Sequence, residues 1–152
     1  MKKIFLLFVT AMALFSCAGD KDKDPDIAST DIAKETTIHC YMKVVNQDTF
    51  LLRLNKTGKK IGGNLEYDFH EKDRNVGMIS GELQGDTLFA EYAFKSEGVE
   101  SIRELAFILR EVDVQEGFGE MEEKNGRMVF KDKSAVQFTD TTLFRNVPCP
   151  AQ

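Results

Sequence analysis

From Thr37 onward the chain is a succession of short runs in which apolar and polar residues alternate, each run ended by Gly, Asn or Asp. In Lys60 to His70, residues Leu65, Tyr67 and Phe69 fall on one parity, while Asn64, Glu66, Asp68 and His70 fall on the other. Leu88, Ala90, Tyr92 and Phe94 repeat the pattern in Thr87 to Lys95. A period of two is what a half-buried strand requires, because successive side chains point to opposite faces. Further runs are Thr37 to Val45, Thr49 to Leu54, Val76 to Leu83, Val99 to Arg110, Val114 to Glu123, Arg127 to Lys131, Ala135 to Thr139 and Thr142 to Val147. Asn55-Lys56-Thr57-Gly58, Gly85-Asp86 and Asn125-Gly126 supply turns, the last being the strongest short hairpin signal. Some ten runs at this spacing predict an all-β, antiparallel fold, either a sandwich or a closed barrel. Short connections favour an up-and-down meander closing into a small barrel of about 8–10 strands, which leaves few exposed edges.

Three places strain this pattern. Val99, Ile102, Ala106 and Leu109 have helical spacing, and Ser101 with Glu104 could form a capping box. Phe107, Ile108 and Val112-Asp113-Val114 have extended character instead, so residues 99–110 are open between strand and helix, with the strand preferred. Gly117 and Gly119 flank Phe118, which suits a bulge, a sharp bend or an aromatic ring lying over the backbone. Arg103 and Glu104 interrupt an apolar stretch, and on a strand they point to opposite sides. An inward Arg103 needs a carboxylate or an anionic ligand, unless that end of the sheet is open to water.

The first 36 residues have a different character. Met1-Lys2-Lys3 is followed by an apolar run from Ile4 to Phe15 and by Ser16-Cys17. A charged start, a short apolar segment and a small residue before the cut are the parts of a secretory signal. Twelve residues are too few to span a bilayer, which takes about 20. A cysteine just after the small residue predicts a lipoprotein signal over 1–16, with Cys17 acylated, palmitate being one such chain, and holding the protein to the membrane. The bulk of Phe15 leaves ordinary signal cleavage as the alternative. Residues 17–36 read as a tether, since Asp20 to Asp26 is charged, carries Pro25 and has little to bury. Residues 37–152 then form a single domain. Cys40 and Cys149 remain, at its two ends. In an oxidising compartment such a pair predicts a disulfide closing a loop of about 110 residues.

Removing residues 1–16 takes away two lysines and no acids, so the formal charge moves from −5 to −7. That acidity, without a basic stripe, argues against nucleic acid as a partner. No cofactor motif is present, and neither His39 nor His70 lies in a recognisable nucleophile–base arrangement, so no enzyme is expected. Cys40, Met42 and Cys149 could share a face as a soft metal site, the alternative to the disulfide. Glu97, Glu100, Glu104, Glu111, Glu116, Glu120, Glu122 and Glu123 read as a solvated surface, with Glu120 able to point inward.

Several phrases carry a resemblance. Gly85-Asp86-Thr87-Leu88-Phe89-Ala90-Glu91-Tyr92, Ser96 to Glu104, Glu116-Gly117-Phe118-Gly119-Glu120, and Lys124-Asn125-Gly126 with Met128 to Lys131 resemble a family of small lipoproteins of Bacteroidetes-type bacteria. The acidic cluster after Cys17 is similar to the surface-export signals of such lipoproteins. The resemblance implies an outer-membrane location, periplasmic or surface-exposed. More distantly, the anchored meander is similar to the N-terminal barrel of the NlpE family, whose fold is lipocalin-like. That family's Cys-x-x-Cys pair is reduced here to Cys40, which speaks against copper handling. A lipocalin-like barrel implies a small apolar or amphipathic ligand, with Tyr67, Phe69, Tyr92, Phe94 and Arg103 as candidate binding residues. A filled barrel implies instead an envelope protein as the partner.

Overall fold

The computed structural model describes residues 35–151 except Asp73 and Glu97; Cys17, the signal segment 1–16 and nearly all of the tether 17–36 lie outside the described residues. Ten strands form one sheet: β1 (Thr36–Val45), β2 (Asp48–Thr57), β3 (Lys60–Asp68), β4 (Asn75–Gln84), β5 (Thr87–Ser96), β6 (Val99–Leu109), β7 (Asp113–Gly117), β8 (Met121–Lys124), β9 (Arg127–Phe130) and β10 (Phe144–Val147). The fold is all-β, as the alternation predicts. Strands β1 to β7 meander antiparallel, and β10 returns between β7 and β1 to close a barrel of eight strands. β8 and β9 stand outside that ring as a hairpin, joined to β6 by a parallel pairing at Arg103 and Met128.

Residues 99–109 are a strand, so the helical spacing there is incidental. Its pairing with β5 runs along its whole length, from Ser96↔Val99 to Thr87↔Ile108. Its inward residues Leu105 and Phe107 are buried, and so is Ala106 on the outward parity, where it pairs with Phe89 and Gly117. Two other boundaries differ from the expected ones. β2 runs through Asn55 to Thr57, and the turn falls at Gly58-Lys59, three residues after the Asn55 start expected for it. The run Val114 to Glu123 is broken into β7 and β8, because Phe118 turns away to bridge Gln137. Ala135 to Thr139 is no strand; Asp132 accepts hydrogen bonds from the Ser134 backbone and hydroxyl and caps a 3-10 turn at Lys133–Ala135.

The glycines on either side of Phe118 do have rings over them. A methyl group on Gly117 would lie 2.5 Å from Cε1 of Phe138, and one on Gly119 would lie 3.2 Å from Cδ1 of Phe130. Asn125 and Gly126 both have positive φ, 54° and 75°, as a two-residue hairpin turn demands.

All eight barrel strands contribute to one apolar core. Leu52, Leu65, Ile79, Leu88, Phe107, Val114 and Phe144 are almost fully sealed from water inside it. Phe107 and Phe144 meet edge to face, with centroids 6.1 Å apart. Outside the wall, the β8–β9 hairpin rests on β5 through Phe130 against Phe89 and an Arg127–Glu91 ion pair. Cys40 points outward from β1 and is bonded to Cys149, with Cα atoms 5.1 Å apart, so the two sulfurs are not free as metal ligands.

Candidate functional site

The barrel has two ends. One is formed where β1 and β3 finish, β2 and β4 begin, and β5 passes to β6. The four candidate aromatics converge there with Phe50. Tyr92 stacks on Phe94 at 4.6 Å, Tyr67 on Phe69 at 6.1 Å, and Tyr67 meets Tyr92 edge-on at 5.9 Å. Phe50 stands edge-on to both Tyr67 and Phe69. Edge-to-face and offset contacts of this kind suit the ring quadrupoles and add to simple burial. Tyr92 is the most deeply buried of the set, and its hydroxyl proton is shared between the Leu65 and Asn75 carbonyls at 3.1 and 3.2 Å. Tyr67, Phe69 and Phe94 are partly open.

Beneath the aromatics is a charged network that alternation alone did not single out. Lys43 lies on the inward parity of β1, and its ammonium donates to Oε2 of Glu116 at 3.0 Å and to Oδ2 of Asp140 at 3.4 Å. Oε1 of Glu116 accepts from the Tyr67 hydroxyl at 2.7 Å. The ammonium also lies over the Phe144 and Phe50 rings, at 4.8 and 5.3 Å from their centroids. Lys43 and Glu116 are both buried. A buried charge persists only when paired and hydrogen-bonded, and this network provides both. Gln115 donates to the Phe138 and Asp140 carbonyls at 2.8 and 2.9 Å, which ties the segment bearing Asp140 to β7. Burial raises the Tyr67 phenol well above its ordinary value, and the neighbouring Glu116 carboxylate raises it further. Tyr92 is raised too, mainly by burial, although the Arg103 charge works against this.

Arg103 is paired in register with Tyr92 but is itself exposed, so this end of the sheet is open to water. Its guanidinium reaches the Met121 sulfur at 3.7 Å, a weak neutral acceptor. Glu104 points the other way, accepting from the Phe130 backbone N–H at 3.0 Å and pairing with Lys133 at 2.8 Å. The opposite sides predicted for this pair are thus found. Glu120 does not point inward; it is exposed and pairs with Lys131. Glu116, counted with the solvated carboxylates by its sequence, is the buried one.

The two histidines serve different surroundings. His39 stacks on Tyr41, and His70 faces Glu71. Among the described residues, no group of three or more His, Cys, Asp or Glu side chains could hold a metal ion. No family model matches the chain, and no curated protein or solved structure matches it.

Proposed function

We propose that this protein is an envelope lipoprotein, anchored to the outer membrane through acylated Cys17, whose barrel is a non-enzymatic binding module for a small apolar or amphipathic ligand. The observation that carries this reading is the convergence of Tyr67, Phe69, Tyr92 and Phe94 on one open barrel end, with the exposed guanidinium of Arg103 opposite Tyr92. The partly open rings of Tyr67, Phe69 and Phe94 offer apolar contact over the buried Tyr92, and Arg103 offers one polar contact to orient a head group. The disulfide fits an oxidising envelope.

A second reading has its own support. The core is filled by side chains, and the outer wall of β4 to β6 carries a groove of about 400 Å³ floored by Gly77 and lined by Val76, Met78, Ala93 and Ile102. Met78, 69% exposed there, is the most exposed large apolar residue among the described ones. Such a surface suits an envelope protein that acts through a protein partner. Native mass spectrometry of the exported, unreduced chain separates the two. Extra mass released on denaturation supports the small-ligand module and identifies its cargo. A bare chain mass moves the assignment to the partner-binding barrel. Retention of Cys17→Ser in the membrane fraction would refute the anchor.

A further inference from the structure

The other barrel end is built differently from the aromatic one. β1 begins there, β2 ends and β3 begins, and the β6–β7 connection crosses beside them. Tyr41, Leu54 and Ile61 are buried inward residues of those three strands, and Leu109 is the last residue of β6. Together they floor a cavity of about 250 Å³. His39, Lys56, Arg110 and Glu111 stand around its rim. The alternation of β2 accounts for the layering. Leu52 and Leu54 fill the core, and the next inward position, Lys56, comes just where the barrel meets water. Its methylenes can line the wall while its ammonium stays hydrated at the mouth.

Rim charge sets the kind of head group this end accepts. Arg110 is held in place, donating to Oδ1 of Asp113 at 2.7 Å and to Oε1 of Gln115 at 2.5 Å. Asp113 also accepts from Arg145 at 3.2 Å, so two cations share that one carboxylate. Around the mouth stand Lys56, Arg110 and the carboxylate of Glu111, while in the neighbouring β2–β3 and β4–β5 turns Lys59 and Lys60 are matched by Asp86 and by Glu82, the register partner of Lys60. Charge at this end is close to balanced, and of the two rim cations Arg110 is paired with Asp113 while Lys56 makes no ion pair among the described residues. The floor is apolar, and Tyr41 carries the one hydroxyl among those side chains.

We infer that this end is a second binding site, taking a small monocarboxylate with an apolar tail: the tail fills the floor of Leu54, Ile61 and Leu109, and the carboxylate meets Lys56 at the rim. A cavity of 250 Å³ corresponds to about eight water-sized volumes, which suits a tail of several carbons and excludes a long acyl chain or a bulky lipid. The inference stands apart from the aromatic end, which lies at the opposite mouth of the same filled barrel.

The test uses the full chain with Cys17→Ser, disulfide intact, and three probes that share one tail: octanoate, 1-octanol and octylammonium. Amide and methyl shifts in nuclear magnetic resonance report both affinity and location. Octanoate should bind saturably, moving His39, Ile61 and Leu109 and leaving Phe94 still. Lys56→Gln should weaken octanoate about tenfold, as for loss of one charge-assisted contact, and change 1-octanol less than about twofold. Ile61→Phe, which fills the floor, should abolish both. Because Lys56 is exposed, its variant keeps the test decisive even if Ile61→Phe is poorly folded. Three outcomes would each overturn the site: no saturable shift, equal binding of all three probes, or shifts confined to Phe94 and Arg103. The last would leave the aromatic-end reading intact, and cargo found there by mass spectrometry would leave this inference to stand or fall separately.

Discussion

Lys43 occupies an inward position of β1 between Tyr41 and Val45, and its ammonium is shared by Glu116 and Asp140 inside the barrel. Removing Lys43 leaves the Glu116 carboxylate charged and dry. Lys43→Met should therefore cost about 3–5 kcal/mol, much of it the penalty of stranding Glu116. Lys43→Met with Glu116→Leu removes both buried charges, while Asp140, a quarter exposed, can hydrate. The pair should come back to within about 2 kcal/mol of the parent, the remainder reflecting the lost acceptor of Tyr67. Urea unfolding of the three proteins decides this, and a double variant no better than the single one would contradict it. The tyrosines give a second prediction. Tyr41, Tyr67 and Tyr92 are the only three in the chain, and burial raises all of them above 10 in the folded state. A raised pKa means that the folded protein holds protons the unfolded chain has released. Their contribution is complete below about pH 10 and is lost as pH climbs toward the folded values. Spectrophotometric titration should show little tyrosinate near pH 10 in the folded protein and half conversion in urea. Lys43 shares its parity with Tyr41 and Glu116 with Val114, yet by its sequence Glu116 reads with the solvated carboxylates and Lys43 stands out in no way. What parity lacked was the knowledge that β1 and β7 lie near one another, separated by β10 alone.

Among the elements, β10 is the most weakly held stave. It pairs with β1 at three register positions and with β7 at two, whereas β2 to β5 pair along nearly their full lengths. The Cys40–Cys149 bond crosses this seam just beyond the last pair, Cys40↔Val147. A bond joining residues 109 apart restricts the unfolded chain by about 4–5 kcal/mol in the chain-entropy account. Cys40→Ala with Cys149→Ala should lose stability of that order, and hydrogen exchange should quicken first in residues 144–147 and their β1 partners. Uniform loss of protection across β2 to β5 would count against a local seam. Gly77 marks the opposite situation, a tightly packed joint. A methyl group there would lie 2.2 Å from the Ala93 carbonyl oxygen and 2.6 Å from Cβ of Phe94. Since backbone must move to relieve this, Gly77→Ala should cost about 1–3 kcal/mol in denaturant melts, despite alanine's better intrinsic fit to a strand. The alternating runs made β1 to β5 legible, because each is long and has one wet face. Between Gly117 and Val147 they were less exact: Arg127 to Lys131 and Thr142 to Val147 do hold β9 and β10, but elements there are three or four residues long. Val114 to Glu123 is split, and capping at Asp132 replaces the strand expected at Ala135 to Thr139.

For the molecule as a whole, the alternation specifies a closed barrel but not whether its middle is hollow, because inward apolar residues serve equally as core or as cavity lining. The side chains settle this through size and register. Phe107 from β6 meets Phe144 from β10, and around them Leu52, Leu65, Ile79, Leu88 and Val114 leave almost no accessible surface. This layer is a partition: the aromatic end with its Lys43–Glu116 network lies on one side, and the mouth lined by Tyr41, Leu54 and Ile61 lies on the other. Phe107→Ala tests the partition directly. In a packed layer, truncation removes the transfer energy of a phenyl group and leaves a cavity that the stiff barrel cannot collapse, a loss of about 3–5 kcal/mol. The space created is apolar on all sides, so it should stay dry and accept a small hydrocarbon. Toluene should then raise the melting temperature of Phe107→Ala and leave that of the parent unchanged. A hollow barrel predicts the reverse: a small cost of truncation and a parent protein that toluene already stabilises. The expected result would also explain why one small fold can present two chemically distinct mouths, since a ligand held at one end cannot reach the other through the sealed layer between them.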